Sequence, residues 1–135
     1  MKMEETAKIL DMHRLPKIRK GKIVEKGWGF ELHIENNEDY CGKLLVFKEG
    51  SKFSMHYHVE KYETWFVQEG KFTFRWINPS TAETVEDILN RGDIVTIYQG
   101  ISHQLEALED SLIFETSTKD KAEDSYRVWK GDSQK

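Results

Sequence analysis

The segment GSKFSMHYHVEKYETWFVQEG, residues 50–70, decides the fold because it combines strand-forming residues with regularly spaced polar ones. His56 and His58 stand two apart in a predicted strand, where side chains at i and i+2 share a face and their Cα atoms lie about 6.6 Å apart. Two such imidazoles can bind one metal ion with bonds of about 2.1 Å. Glu63 begins the next predicted strand. A hairpin between the two strands would bring its carboxylate beside the rings.

A second segment, GDIVTIYQGISH at residues 92–103, supplies a further imidazole. His103 follows Gly100 at the start of a later predicted strand, where it can close the site. Three imidazoles and one carboxylate suit Fe, Mn, Ni, Zn or Co. The residues therefore predict one bound divalent metal ion, and the spacing leaves its identity open. The remaining histidines, His13 and His33, are predicted to lie at the surface.

From residue 22 onward, short runs rich in Val, Ile, Phe, Trp and Thr alternate with Gly and polar clusters. This pattern is typical of a sandwich or barrel of many short strands. Glu69-Gly70 between two such runs predicts a tight two-residue hairpin. In the strand that follows, Phe72, Phe74 and Trp76 share one face. The predicted strands are residues 22–25, 29–34, 42–48, 52–57, 63–68, 71–77, 84–89, 93–97, 103–107, 111–116 and 125–128.

The length of 135 residues fits one domain. The pattern predicts an N-terminal arm or short helix over residues 1–21, a β-barrel domain over 22–129 and a polar tail over 130–135. Pro16 ends any helix in the arm. The single cysteine, Cys41, excludes an intrachain disulfide, so an oxidising compartment is not indicated.

Charge and hydropathy exclude several classes of partner. A net charge of −4 and a pI of about 5.8 give no basic face for nucleic acid. No run approaches the ~20 apolar residues of a membrane helix. The N-terminal residues lack the apolar stretch of a signal peptide, so we expect a cytoplasmic protein.

The spacing of these residues resembles the two motifs of the cupin superfamily. The first runs from Gly50 through His56, His58 and Glu63 to Gly70 and agrees at every defined position. The second runs from Gly92 to His103, with Tyr98 where the superfamily usually has Pro and Ala107 where it often has Asn. The resemblance implies an all-β fold, the double-stranded β-helix or cupin jelly-roll barrel, over roughly residues 22–118. The metal would lie inside the barrel, towards one mouth.

A second resemblance concerns the reaction. The run Glu63-Thr64-Trp65 and the later stretch 113–117 are similar to small cupins related to type II mannose-6-phosphate isomerase, although this chain has two more residues between His58 and Glu63. The resemblance implies aldose–ketose isomerisation of a phosphorylated sugar, with the metal acting as a Lewis acid. Glu115, on a late strand that can face the interior, is the candidate for proton transfer.

A sugar phosphate needs cationic partners and hydrogen-bonding groups near the metal. Candidates are basic residues, a serine on the face of the first two histidines, and the residues that flank the third. The predicted substrate-binding residues are Ser54, Arg75, Lys43, Tyr98, Gln104 and Arg127.

Two other functions use the same ligand set. One is a non-catalytic cupin that binds a small molecule. The other is a cupin-type metal-dependent dioxygenase, which would bind iron and consume O₂. Exposed edge strands and aromatic faces also predict a homodimer.

Overall fold

The computed structural model describes residues 2–5 and 14–135. Strands dominate the described part of the chain, and two 3-10 helices, Ala122–Asp124 and Asp132–Gln134, lie near its C-terminus. The strands are β1 (Lys22–Lys26), β2 (Gly29–Asn36), β3 (Cys41–Phe47), β4 (Met55–Tyr57), β5 (Glu63–Glu69), β6 (Lys71–Ile77), β7 (Thr84–Asn90), β8 (Ile94–Ile97), β9 (His103–Ala107), β10 (Ser111–Ser117) and β11 (Tyr126–Trp129).

The strands form two antiparallel sheets that face each other as a jelly-roll sandwich. The first sheet has six strands in the order β1-β2-β3-β10-β5-β8, and the second has five in the order β11-β4-β9-β6-β7. This confirms the predicted all-β fold. Each predicted strand has a counterpart, with boundaries that shift mostly by one or two residues.

The main exception in length is β4, predicted over residues 52–57 but observed over Met55–Tyr57. The backbone of Lys52 is bonded instead to the C-terminal segment: its N–H donates to Asp132 Oδ2 at 2.8 Å, and its carbonyl accepts from Asp132 N at 2.9 Å. The last residues, expected to be a polar tail, therefore fold back on the sandwich. Gly131 is buried against the backbone of Phe53, where a Cβ would approach within 2.3 Å of the carbonyl carbon.

The predicted hairpin at Glu69-Gly70 is wrong. β5 belongs to the six-stranded sheet and β6 to the five-stranded one, so the turn carries the chain from one sheet to the other. Gly70 has φ +93°, and a Cβ there would lie 1.9 Å from Ser111 Oγ. Glycine is required because the crossing turn is left-handed and runs directly over β10.

The core lies between the sheets and is largely aromatic. Trp28 stacks on Phe47 at 4.4 Å, and Phe72 meets Phe47 edge-on at 5.0 Å. Phe72 and Phe74 are buried and Trp76 packs against the cluster, which confirms the predicted apolar face of β6. The buried core residues are Trp28, Leu45, Phe47, Phe53, Trp65, Val67, Phe72, Phe74, Leu89, Ile97, Leu105, Ala107 and Ile113.

The two ends of the chain differ in what the structure describes. β11 pairs with β4, so Tyr126–Trp129 packs on its own sandwich. The helix predicted in the N-terminal arm falls largely on residues 6–13, which lie outside the described residues. Among the residues that are described, no helix has the length and apolar character needed to cross a membrane.

We predict that Gly70→Ala costs more stability than Gly92→Ala. Both glycines have φ near +92°, so each substitution carries a left-handed strain of about 1–2 kcal/mol. A Cβ at Gly92 meets nothing within 4 Å, whereas at Gly70 it strikes Ser111 and adds roughly 1–3 kcal/mol. Urea unfolding measures both, and equal losses would contradict the crossing-turn explanation.

Candidate metal centre

Three imidazoles converge at one end of the sandwich interior. His56 lies in β4, His58 follows that strand directly, and His103 opens β9. β4 and β9 are paired so that His56 and His103 stand opposite each other. The ring centroids of this pair are 4.6 Å apart, and one nitrogen from each of the three rings lies within 4.8 Å of the others. Such a cluster could hold a metal ion.

Glu63 lies beside the three imidazoles, but it arrives from the opposite sheet. The predicted hairpin between the histidine strand and the Glu63 strand is wrong, since β4 pairs with β9 and β11 while β5 pairs with β10 and β8. The chain crosses the sandwich between His58 and Glu63. The carboxylate then faces the imidazoles, with His58 Nε2 at 3.5 Å from Oε2 and His103 Nε2 at 3.9 Å from Oε1.

Backbone carbonyls fix the orientation of all three rings. Each Nδ1 lies 2.7–2.8 Å from a carbonyl oxygen. Since a carbonyl only accepts, each Nδ1 carries a proton and donates it, so that in the neutral form of each ring the lone pair lies on Nε2. Hydrogen bonds of this kind orient metal-binding imidazoles and set their tautomer. The pairs are His56 with Ser54, His58 with Asp124 and His103 with Ile101.

Two buried polar atoms at this point have no hydrogen-bond partner: Glu63 Oε2 and His103 Nε2. A buried polar atom without a hydrogen bond is costly. Glu63 Oε2 has the Lys61 ammonium at 3.4 Å and His58 Nε2 at 3.5 Å, whereas His103 Nε2 has, among the described residues, only Glu63 Oε1, at 3.9 Å. Burial lowers the pKa of His103 to about 3, and burial together with the neighbouring imidazoles holds the pKa of His56 well below its usual value. Both rings are therefore neutral at pH 7, which is the form that binds metal. The residues fit a divalent ion held by His56, His58, Glu63 and His103.

Asp124 holds the crossing segment in place. Its carbonyl binds His58, and its carboxylate accepts from the backbone N–H groups of Val59 at 2.8 Å and Lys61 at 2.9 Å. Burial opposes ionisation of this carboxyl, but these backbone hydrogen bonds keep its pKa below the ordinary value. The sequence analysis did not single out Asp124.

A cavity of about 480 Å³ opens beside the three imidazoles and Glu63. Lys61, only 4% exposed, points into a group of carboxylates at its inner end. The Nζ atom lies 3.2 Å from Glu115 Oε2, 3.2 Å from Asp120 Oδ1 and 3.4 Å from Glu63 Oε2. Burial alone would lower the pKa of Lys61, but these carboxylates raise it well above its usual value. The ammonium group is therefore charged.

The ion pairs continue along the cavity wall. Lys43 Nζ lies 2.8 Å from Asp120 Oδ2 and 3.5 Å from Glu31 Oε1, and Glu31 contacts His33 at 2.7 Å. His33, expected at the surface, is partly buried and lines the cavity, while His13 lies outside the described residues.

The structure brings some of the predicted substrate residues to the cavity. Ser54, Lys43 and Arg127 line it, and so does Glu115, which is 4% exposed. Ser54 Oγ also lies 3.1 Å from His56 Nδ1. Arg127 stands directly opposite His56 in the β4–β11 pairing.

The other predicted substrate residues lie elsewhere. Arg75 and Gln104 are cross-strand partners on the face of the sheet opposite to His103, because neighbouring residues alternate in direction. The Arg75 guanidinium is held by Glu86 and Glu106, each at 2.8 Å. Tyr98 is 64% exposed, stacks near Tyr62 and does not line the cavity.

The two-sheet jelly roll is the fold of the cupins, and the three imidazoles in its interior could hold a metal ion. Solved structures support the fold. CapF, the capsular polysaccharide assembling protein of Staphylococcus aureus, aligns with a TM-score of 0.70 and 19% identity over 83% of this chain and 33% of that one. Oxalate decarboxylase from Bacillus subtilis aligns with a TM-score of 0.69 and 16% identity over 80% of this chain and 30% of that one.

Both neighbours have the cupin fold, which confirms that part of the sequence prediction. This chain spans about a third of the length of each. No protein-family profile matches the chain, and no curated protein matches it in sequence. At these identities the likeness establishes the fold and leaves the reaction open.

We predict that the purified chain binds one divalent ion and that His56→Ala lowers the affinity at least about 100-fold. Loss of a residue that only hydrogen-bonds a metal ligand typically lowers metal affinity about 10–100-fold, and loss of a ligand itself should lower it further. His33→Ala is the matched control, since this imidazole lines the same cavity but lies outside the cluster. Competition with a chromophoric chelator measures both, and similar affinities for the two variants would contradict the assignment.

Proposed function

We propose that this chain is a metal-dependent isomerase of phosphorylated sugars that interconverts an aldose and a ketose. The observation that supports it is a second carboxylate, Glu115, held beside the metal-binding Glu63. The Trp65 indole N–H lies 2.7 Å from Glu63 Oε1 and 3.4 Å from Glu115 Oε1. Lys61 bridges the other oxygen of each. Isomerisation needs such a group, which takes a proton from one carbon and returns it to the next.

In this proposal different residues bind the metal, transfer the proton and orient the carboxylate that transfers it. His56, His58, His103 and Glu63 would hold the metal, which when bound supplies the Lewis acidity that polarises the carbonyl and adjacent hydroxyl of the substrate. Glu115 takes the proton from the carbon beside the carbonyl and returns it to the former carbonyl carbon, while the proton of the adjacent hydroxyl moves to the former carbonyl oxygen. The indole N–H and the Lys61 ammonium keep its carboxylate oriented towards the cavity through both steps.

Two exposed cationic residues at the edge of the cavity support an anionic substrate. Lys43 and Lys61 are engaged by carboxylates, whereas Lys26 and Arg127 line the cavity and have no ion-pair partner within the described residues. Arg127 is the cross-strand neighbour of His56, and such pairs have Cβ atoms about 5 Å apart. Its guanidinium can therefore reach a phosphate on a substrate that is bound at the metal.

The cytoplasmic location and the homodimer stay predictions.

The proposal predicts hydrogen exchange. Metal-loaded protein incubated with mannose 6-phosphate or fructose 6-phosphate in D₂O, without O₂, should place deuterium at C1 or C2. At saturating metal, Glu115→Gln should lower the exchange rate at least about 100-fold, because the transferred proton has no acceptor. Glu31→Gln, which removes a carboxylate from the same cavity away from Glu63, is the control and should keep the exchange rate at saturating metal. NMR follows the exchange.

No exchange across a panel of phosphorylated sugars would contradict the isomerase. Substrate-dependent O₂ uptake by iron-loaded protein would favour the dioxygenase instead. Binding of a small molecule without turnover would favour the non-catalytic cupin.

We also expect Arg127→Gln to raise KM for the phosphorylated sugar about tenfold or more while kcat changes little. A charge-assisted hydrogen bond contributes about 1.5–3 kcal/mol, and this one would act equally on substrate and transition state. Steady-state kinetics measures the effect. Lys130→Gln, an exposed residue outside the cavity lining, is the control. An unchanged KM would remove Arg127 from the substrate site.

A further inference from the structure

The buried charges beside the metal centre form one connected chain. It starts at Glu63, passes through Lys61 to Glu115 and Asp120, and continues through Lys43 to Glu31. Every link is an ion pair of 2.8–3.5 Å. Lys61, Glu63 and Glu115 are each less than 5% exposed. These three charges therefore interact mostly through protein, and salt screens them little, whereas the side chains of Glu31 and Asp120 at the outer end are 15% and 25% exposed.

The chain does not balance its own charge. It contains four carboxyl and two amino side chains, so with every group ionised its net charge is −2. Carboxylates hold the pKa of Lys43 above its ordinary value despite burial, and the two lysines hold the pKa of Asp120 below its ordinary value despite burial. Lys43, Lys61 and Asp120 are therefore all charged at neutral pH. Uncompensated buried charge is costly, so this end of the sandwich favours a cation.

We propose that this chain is the counter-charge for one divalent cation, and that Asp120 and Lys43 tune the metal affinity of the site without touching it. Neither residue makes a hydrogen bond or ion pair with His56, His58, His103 or Glu63 in the described structure. Their influence on the ion is therefore electrostatic. The inference rests on the metal centre and is independent of the isomerase reaction.

A purely structural role for these residues makes a different prediction. Asp120 and Lys43 link β2, β3 and the segment after β10, so a structural role implies that either substitution loosens the site and weakens metal binding. A counter-charge role implies effects of opposite sign. Asp120→Asn leaves the chain at −1 and weakens binding, whereas Lys43→Gln leaves it at −3 and tightens it.

The experiment measures Zn²⁺ affinity by competition with a chromophoric chelator at pH 7.5. Asp120→Asn should raise Kd about tenfold and Lys43→Gln should lower it about tenfold, the size expected for one charge acting on a divalent ion through an intermediate dielectric. The double variant restores a net charge of −2 and should return Kd to within a few-fold of the parent. Glu86→Gln, which removes an exposed acid from the outer face, should leave Kd unchanged.

Circular dichroism confirms that each variant is folded before titration. If one single variant does not fold, the other single variant still tests the direction of the change in Kd. The double variant then tests whether Kd returns towards the parent value. Shifts in the same direction, or no shift in any variant, would overturn the proposal. If the parent protein does not bind Zn²⁺, the metal centre is wrong, and so is the proposal that rests on it. A negative deuterium-exchange result would leave these affinities as they are, so the two proposals fail separately.

Discussion

The site depends on three hydrogen bonds from imidazole Nδ1–H groups to backbone carbonyls. Two are local, because His56 and His103 each bind the carbonyl two residues earlier, at Ser54 and Ile101. The third is distant, because His58 binds the carbonyl of Asp124, 66 residues further along the chain. Each bond leaves an Nε2 lone pair pointing inward. The C-terminal segment is therefore part of the metal centre as well as part of the fold.

The two sheets contribute different chemistry to one point. The five-stranded sheet supplies the imidazoles, while the six-stranded sheet supplies Glu63 from β5 and Glu115 from β10. Closing the sandwich and assembling the site are therefore the same event. Trp65 serves both, since its ring is fully buried in the aromatic core and its N–H holds the two carboxylates. Packing of Trp65 in the aromatic core thus fixes the position of the two carboxylates.

Sequence reasoning recovered the strands, because they follow from local alternation and from glycines at turns. The three imidazoles that meet in the structure were grouped in the sequence by their resemblance to the cupin motifs. Sequence reasoning failed where pairing is non-local. The Glu69-Gly70 turn has the composition of a hairpin, yet which strands pair is decided by burial across the whole sandwich. The same failure placed Glu63 in a hairpin with the histidines, although the chain crosses between sheets at that point.

The missed residues share one property: singly, each looks like an ordinary surface charge. Lys61 and Asp120 stand in polar stretches of the sequence, and only the folded chain shows each beside an opposite charge from a distant segment. A lysine inside the interval between His58 and Glu63 was the available signal, because that interval must cross the interior. Arg75 is the opposite case. It was predicted at the substrate site, but it lies on the outer face of β6, and the pairing of β6 with β9 determines which face is the outer one.

The most direct test is X-ray absorption spectroscopy of the protein loaded with one equivalent of Co²⁺ or Zn²⁺. The account predicts three imidazole nitrogens, recognised by the multiple scattering of the rings, and at least one carboxylate oxygen. A shell with fewer than three imidazoles, or one made of water alone, would contradict the central claim that these rings are fixed to bind one ion.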